Sequence, residues 1–233
     1  MTIESEPYPP TGQPIGLLVA NTTPAPRPGP VTLDGRFGRV ERLAPHHGAG
    51  FWDAVKGHDH IWTYMSSYGP FEDFQKFSAY FDNRIKLDDP YAYAVLDKSG
   101  RMVGIAALME IKPAMRSIEV GHIVYAPALQ RTPLATEVQY LLARYVFEQL
   151  GYRRYEWKCN ALNAASRRAA LRFGFVFEGI LRQNIIAKGR NRDTAYYSML
   201  DGEWPARKAA FEHWLAPDNF DKDGKQKKKL GEA

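Results

Sequence analysis

Ala128–Leu150, ALQRTPLATEVQYLLARYVFEQL, is the stretch whose reading decides the fold. Thr132 is placed to cap a helix, its hydroxyl accepting from a free backbone N–H of the first turn. Pro133 takes the first helical position, where a missing N–H costs nothing and the fixed φ suits a helix. Val138, Leu141, Leu142, Tyr145 and Val146 recur at three- and four-residue steps and make one apolar face, with Glu137, Arg144 and Glu148 turned elsewhere. Gly151 is the stop. A loop feeding a capped helix offers free N–H groups at the positive end of a dipole, a place to hold an anion. The strand-like run Ile118–Tyr125 aims that loop. An ordinary core helix after a surface turn fits the same letters.

Around this stretch lie 233 residues, enough for one large domain with tails or two small ones. Hydrophobic residues make up 45%, which supports a real core. No apolar run approaches the ~20 residues needed to cross a bilayer, and the acidic, proline-bearing N-terminus does not read as a signal peptide. The expectation is a soluble, cytoplasmic protein with no membrane partner. The single cysteine, Cys159, excludes an internal disulfide and a cysteine-rich zinc site, and its strand-like setting reads as core. His46–His47 and His58–His60 lack a second cluster of matching spacing, so no metal is expected. The net charge of +5 is mild. Its densest run, Lys222–Lys229, sets five lysines against one aspartate in a polar terminal tail, which argues for solvation and against nucleic-acid binding.

Residues 1–34 read as an extended Pro-rich arm, with a reach that allows contact with a second subunit. The main domain is expected over 35–203, a terminal helix over 204–216 and the Lys-rich tail over 217–233. Within the domain, Arg39–Leu43 reads as a strand, and Pro45–Lys56 and Phe71–Lys86 as helices. Between those helices, HDHIWTYMSSYGP carries Trp62, Tyr64 and Tyr68, and so much apolar surface in a connection suggests a pocket wall. Tyr91–Leu96 and Met102–Ile111 form a hairpin about Asp97–Gly100, and Arg116–Tyr125 continues the meander. Gly121 inside that strand predicts a bulge or a close backbone approach. Then come a strand at Tyr152–Cys159, a helix at Ala164–Phe173 capped by Asn163, a hairpin to Leu200 and a helix at Pro205–Leu215. The expected fold is α/β, a mixed and mostly antiparallel sheet with a central parallel strand pair and helices on both faces.

In this order, several phrases resemble one family. They are Ala135-Thr136-Glu137, Tyr145-Val146-Phe147-Glu148, Leu150-Gly151-Tyr152, Asn160, Asn163-Ala164-Ala165-Ser166, Phe173-Gly174-Phe175 and Glu178-Gly179. The chain resembles the Gcn5-related N-acetyltransferases (GNAT), in the RimJ/RimL-like branch of ribosomal-protein N-terminal acetyltransferases, over roughly Arg39–Leu200. The resemblance implies acetyl-coenzyme A as co-substrate and a primary amine as acceptor: a protein N-terminus, an aminoacyl group or a small amine. It implies a pyrophosphate cradle over Gln130–Thr136, including Arg131, Thr132 and Ala135, with Asn163, Ser166 and Phe173 as further cofactor contacts. Arg168, with Arg167 and Arg172, would face the 3′-phosphate; a solvated basic face is the equal reading of the same three residues. Where the family loop commonly carries glycines two apart, this chain has Arg131 and Pro133, and Pro133 removes one amide donor.

Direct attack of an amine on a thioester needs a base, an oxyanion donor and a route for the departing sulfur. On the strand beside the cofactor, Glu119 is the first candidate base and His122 the second; three apart, they face opposite sides unless Gly121 bulges. A salt bridge across the sheet is the other reading of Glu119. Backbone N–H groups around Ile123 or Val124 are the candidate oxyanion donors. The tyrosine many relatives place on the second helix falls here on Ala170; the resemblance to the RimL-like branch implies the serine of Asn-x-x-Ser, Ser166, as the candidate acid, with a helix-cap residue or cofactor contact as its other reading and Tyr125 as the lesser candidate. Trp62, Tyr64 and Trp157 are the candidate acceptor contacts. A non-catalytic acyl-coenzyme A binding module is the alternative.

Overall fold

The computed structural model describes residues 4–231. The strands β1 (Glu6–Pro7) and β2 (Pro14–Ile15) pair only with each other. The main sheet opens with β3 (Thr32–Asp34) and β4 (Gly38–Arg42). Then follow α1 (Gly48–Val55), α2 (Phe74–Lys86), β5 (Tyr91–Asp97), β6 (Met102–Lys112) and β7 (Ser117–Tyr125). The second half is α3 (Pro133–Arg144), β8 (Arg154–Asn160), α4 (Ala164–Arg172), β9 (Val176–Ala187), β10 (Arg190–Leu200) and α5 (Trp204–Leu215). The eight strands lie in the order β3-β4-β5-β6-β7-β8-β10-β9. Every pairing is antiparallel except β7 with β8. This is the mixed sheet expected from the sequence, and among the described residues no helix is long and apolar enough to cross a membrane.

Both faces of the sheet are covered, which explains why β5 reads as an unbroken apolar run rather than an alternating one. Tyr91, Tyr93 and Val95 join the core under α3 and α5, built around Val138, Leu142, Val146 and Phe211. Ala92, Ala94 and Leu96 point the other way, into the core under α1 and α2 with Phe51, Phe77 and Phe81. Burying each such large side chain contributes about 1.5–3 kcal/mol.

The caps behave as expected. Thr132 Oγ1 accepts from the Ala135 N–H at 3.3 Å, Asn163 Oδ1 accepts from the Ser166 N–H at 3.0 Å, and Gly151 ends the helical run at φ +65°. Three features depart from the sequence reading. The first helix is split, a 3-10 turn at Pro45–His47 preceding α1. Glu137 is not on a solvated face: it is 3% exposed, and its carboxylate accepts from the N–H groups of Arg36 (2.6 Å) and Phe37 (2.8 Å), tying the β3–β4 turn to α3. The basic C-terminal segment folds back onto the domain. Buried Asn219 donates to the Trp214 carbonyl and accepts from the Lys228 N–H, while Phe220 packs edge-on against Trp214 and Phe37.

Candidate active site

Ladder pairs join β7 to β8 from Ser117–Arg154 to Val120–Trp157 and then stop. Beyond that point β7 stays with β6 as far as Tyr125, and β8 stays with β10 as far as Asn160. Parallel strands that part leave a wedge at their carboxyl ends, where open α/β sheets take their ligands. A cavity of about 1560 Å³ occupies this wedge. That exceeds the ~300–1,000 Å³ typical of one drug-sized ligand and leaves room for two substrates.

One end of the cavity is built by the α3 and α4 N-termini. Gln130, Arg131, Thr132, Ala135 and Thr136 line it, as do Asn163, Ser166, Arg168 and Phe173. The anion cradle is narrower than the sequence implies. The amides of Leu129, Gln130 and Thr132 already donate to carbonyls inside the loop, and that of Ala135 donates to Thr132. Among the described residues the Arg131 amide has no protein acceptor. Arg131 sits at φ +60°, the left-handed region in which a glycine is at ease and an arginine is strained. Side-chain cations supplement the reduced backbone. Arg172 donates to Thr136 Oγ1 (2.9 Å) and lies over the Trp214 ring, and Arg168 and Lys225 line the same wall. Arg167 is not among the lining residues: it reaches Tyr197 and the Ala161 carbonyl. Val124 is buried in the core under α1 and α2, pairs with Ile105 of β6 and does not line the cavity.

One polar side chain of α3, that of Gln139, was not singled out by the sequence reading. Gln139 donates through Nε2 to the Tyr125 hydroxyl (2.7 Å), while its buried Oε1 has no partner. A buried amide oxygen without a donor is uncommon and marks this position as polar inside an otherwise apolar helix face. The clue in the sequence was a polar residue inside the buried span of α3. The backbone fold-back also brings Trp214, Phe220 and Gln226 to the wall.

Glu119 lies mid-cavity on β7, 5% exposed, with Lys158 Nζ 2.9 Å from its Oε2. Lys158 also meets Glu156 (2.9 Å), and Arg154 links Glu156 to Glu178, so a charged ladder crosses the open face of β8. Both sequence readings of Glu119 therefore describe the same group: a cross-sheet ion pair that faces the cavity. Burial pushes its carboxyl up to about 7, against the opposing pull of Lys158. The two carboxylates hold Lys158 above its ordinary range despite burial. The bulge foreseen at Gly121 is present: the β6–β7 register shifts between Ile105 and Ala107, and His122 takes φ +47°. It turns His122 onto the same cavity as Glu119. A Cβ at Gly121 would lie 2.5 Å from Met109 Sδ, so the close approach is also real.

At the far end the wall is the 58–70 loop and the β9–β10 hairpin. Tyr68 stacks on His122 (ring centroids 5.5 Å apart) and bonds its Nδ1 at 2.5 Å. Burial, with Arg84 and Arg192 nearby, pushes the His122 imidazole down to about 3, so it is neutral at physiological pH. Tyr64 lines this end. Trp62 does not: it is 2% exposed and packed among Tyr68, Phe71 and Tyr80 in the core, which removes it from the acceptor contacts. Trp157 projects to the α4 side of the sheet, against Phe173 and Phe175. Its indole N–H donates to Ser166 Oγ (3.0 Å), and the Ser166 hydroxyl also lies in hydrogen-bonding contact with the buried Cys159 thiol.

Among the described residues, Glu41, His46 and His47 form the one cluster of metal-ligating type. His47 Nδ1 accepts from the Ala44 N–H, so its Nε2 carries the proton and donates to Glu41 at 3.1 Å. That tautomer has no lone pair left for a metal.

Residues 40–176 match the family model of the acetyltransferase (GNAT) domain. The solved structure of a GCN5-related N-acetyltransferase from Brucella melitensis is similar, with a TM-score of 0.88 and 48% identity over 91% of this chain and 97% of that one. A GNAT-family acetyltransferase structure from Chromobacterium violaceum ATCC 12472 gives a TM-score of 0.77 and 40% identity, covering 83% and 98%. The Bacillus subtilis (strain 168) protein YdaF, labelled provisionally as a ribosomal N-acetyltransferase, is 29% identical over 109 residues, 47% of this chain. That match spans 59% of the length of this curated relative.

Proposed function

This chain belongs to the GNAT acetyltransferase family, and from that premise we propose that it transfers acetyl from acetyl-coenzyme A to a primary amine by direct attack. The observation that carries the reading is the parting of β7 and β8 after Val120 and Trp157, with Glu119 in the wedge and the α3 N-terminus at its end. The co-substrate supplies an acetyl group activated as a thioester. The Arg131 amide, Arg168 and Arg172 hold its phosphates. Glu119 takes the ammonium proton, and a carboxyl poised at about 7 does so near neutral pH. The new N–C bond forms as the C–S bond breaks. The N–H of Ile123, at the bulge, is the donor for the developing oxyanion. Ser166, which lines the cavity at the α4 N-terminus, is the candidate acid for the departing sulfur. Neutral His122 orients the acceptor through the Tyr68 contact rather than acting as base.

Thermal-shift titration with acetyl-coenzyme A, followed by a thiol-release assay over amines and N-terminal peptides, tests this reading. The expected result is stabilisation and acceptor-dependent release; no stabilisation overturns it. A non-catalytic binding module is the second reading, favoured by Ala170 where relatives carry an acidic tyrosine. It predicts stabilisation without release for any amine.

A further inference from the structure

The carboxylates in the cavity away from the helix N-termini are all matched by cations. Glu119 and Glu156 share Lys158, and Glu110 lies 3.5 Å from Lys112. The cations at the far end are not matched in return. Arg192, on β10, lines the cavity and bonds only the neutral hydroxyl of Ser66 through one terminal nitrogen; its Nε is buried without a partner. Arg84, 7% exposed on α2, rests its guanidinium over Tyr68 (5.2 Å) and Tyr80 (5.4 Å), and its Nε is likewise unpartnered. Among the described residues neither guanidinium has a carboxylate within ion-pair distance. Arg192 lines the same cavity as His122 at the β7 bulge and Cys159 near the end of β8. Lys188, on the same hairpin, spends its ammonium on the carbonyls of Trp62 (3.0 Å) and Gly69 (2.6 Å) and supplies no anion either.

A buried or half-buried charge without a counter-charge is destabilising, because desolvation is not repaid. Guanidinium groups are also the side chains best shaped to take a carboxylate or phosphate through paired N–H donors. We propose that the acceptor carries a carboxylate or phosphate close to its amine, and that Arg192 holds this anionic group while the amine faces Glu119. This rests on the acetyltransferase reading and names the class of acceptor. Arg84 does not line the cavity; it raises the positive potential behind Tyr68 and His122. The same field disfavours acceptors that bring a second positive charge to this end.

The test compares matched acceptors on the full chain with acetyl-coenzyme A: L-alanine against L-alaninamide, O-phosphoethanolamine against ethanolamine, and peptides beginning Ala-Asp against Ala-Asn. The three pairs separate a free carboxylate, a phosphate and an acidic peptide side chain as the source of the charge. The anionic member of at least one pair is expected to show a kcat/KM about 10- to 100-fold higher, the range for a charge-assisted hydrogen bond. Arg192→Gln removes that preference and Arg192→Lys restores part of it, while stabilisation by acetyl-coenzyme A is unchanged in both. Equal use of both members in every pair, a preference that survives Arg192→Gln, or no turnover of any anionic member by protein that binds acetyl-coenzyme A overturns the proposal. Turnover confined to uncharged or cationic amines overturns it too, yet leaves the acetyltransferase reading intact. Loss of acetyl-coenzyme A stabilisation in the unmodified protein instead removes the reading beneath it.

Discussion

The two ends of the cavity are made by different means. The end at α3 and α4 is backbone geometry: two capped helices, a short loop and the unpaired edge of β7, supplemented by arginines. The far end is side-chain geometry: aromatic rings of the 58–70 loop, a bulged histidine and the reach of a hairpin. A ligand common to many relatives needs the first kind, since main-chain donors persist through sequence change. A ligand particular to one enzyme needs the second, because only side chains distinguish acceptors. Glu119 stands between the two ends.

The sharpest break of this division comes at that midpoint. Glu119→Gln is expected to lower kcat/KM about 10²- to 10⁴-fold, as removal of a general base does, while the thermal shift with acetyl-coenzyme A persists. The pH profile adds the sign. The base must be deprotonated, so activity of the unmodified protein rises with pH through about 7, and Glu119→Gln loses that limb. His122 contributes no limb between pH 5 and 9, since its imidazole stays neutral there. A profile with no rise near 7 removes Glu119 from the role.

Next in size, Arg172→Gln tests the helix end alone. It loses a guanidinium held by Thr136 and Trp214, and calorimetric Kd for acetyl-coenzyme A is expected to weaken about tenfold or more, with acceptor KM unchanged. Equal damage to both constants denies the separation of the ends. Arg131→Gly pulls in two directions. It relieves a left-handed arginine, raising stability by about 1 kcal/mol in chemical denaturation, and it removes a cation from the phosphate wall. The smallest effect belongs to Tyr68→Phe, which deletes the hydroxyl on His122 and costs about 0.5–1.5 kcal/mol. Acceptor KM is expected to register it and acetyl-coenzyme A affinity is not.

The same division governs what could be read from the letters. Thr132-Pro133, Asn163 and Gly151 are local signals, each acting within one helical turn, and the structure places each cap where they say. Gly121 announced its bulge because a strand without a side chain there must accommodate something, here Met109. The far end depends on residues distant along the chain. Ser66 meets Arg192, and Trp62 and Gly69 meet Lys188, across 119–126 positions, with no periodicity to reveal them. Trp62 and Tyr64 differ by two positions, yet one is core and the other cavity wall. Composition cannot separate them, because an aromatic ring serves either purpose. The C-terminal segment misled for a related reason. Its lysines are exposed as their charge requires, but Asn219 and Phe220 anchor it through contacts that a polar run hides.

The clasp between Glu137 and the Arg36–Phe37 turn has a bearing on how loss-of-function variants will be distributed. A methyl group placed on Gly35 would lie 2.4 Å from the Glu137 carboxyl carbon, so alanine there must displace that carboxylate and disturb its bonds to the Arg36 and Phe37 amides, which tie the outermost ribbon of the sheet to α3. A mutational screen scored on coenzyme affinity should therefore return hits at Gly35, a surface turn that touches neither substrate. A catalogue of cavity residues alone would leave those hits unexplained.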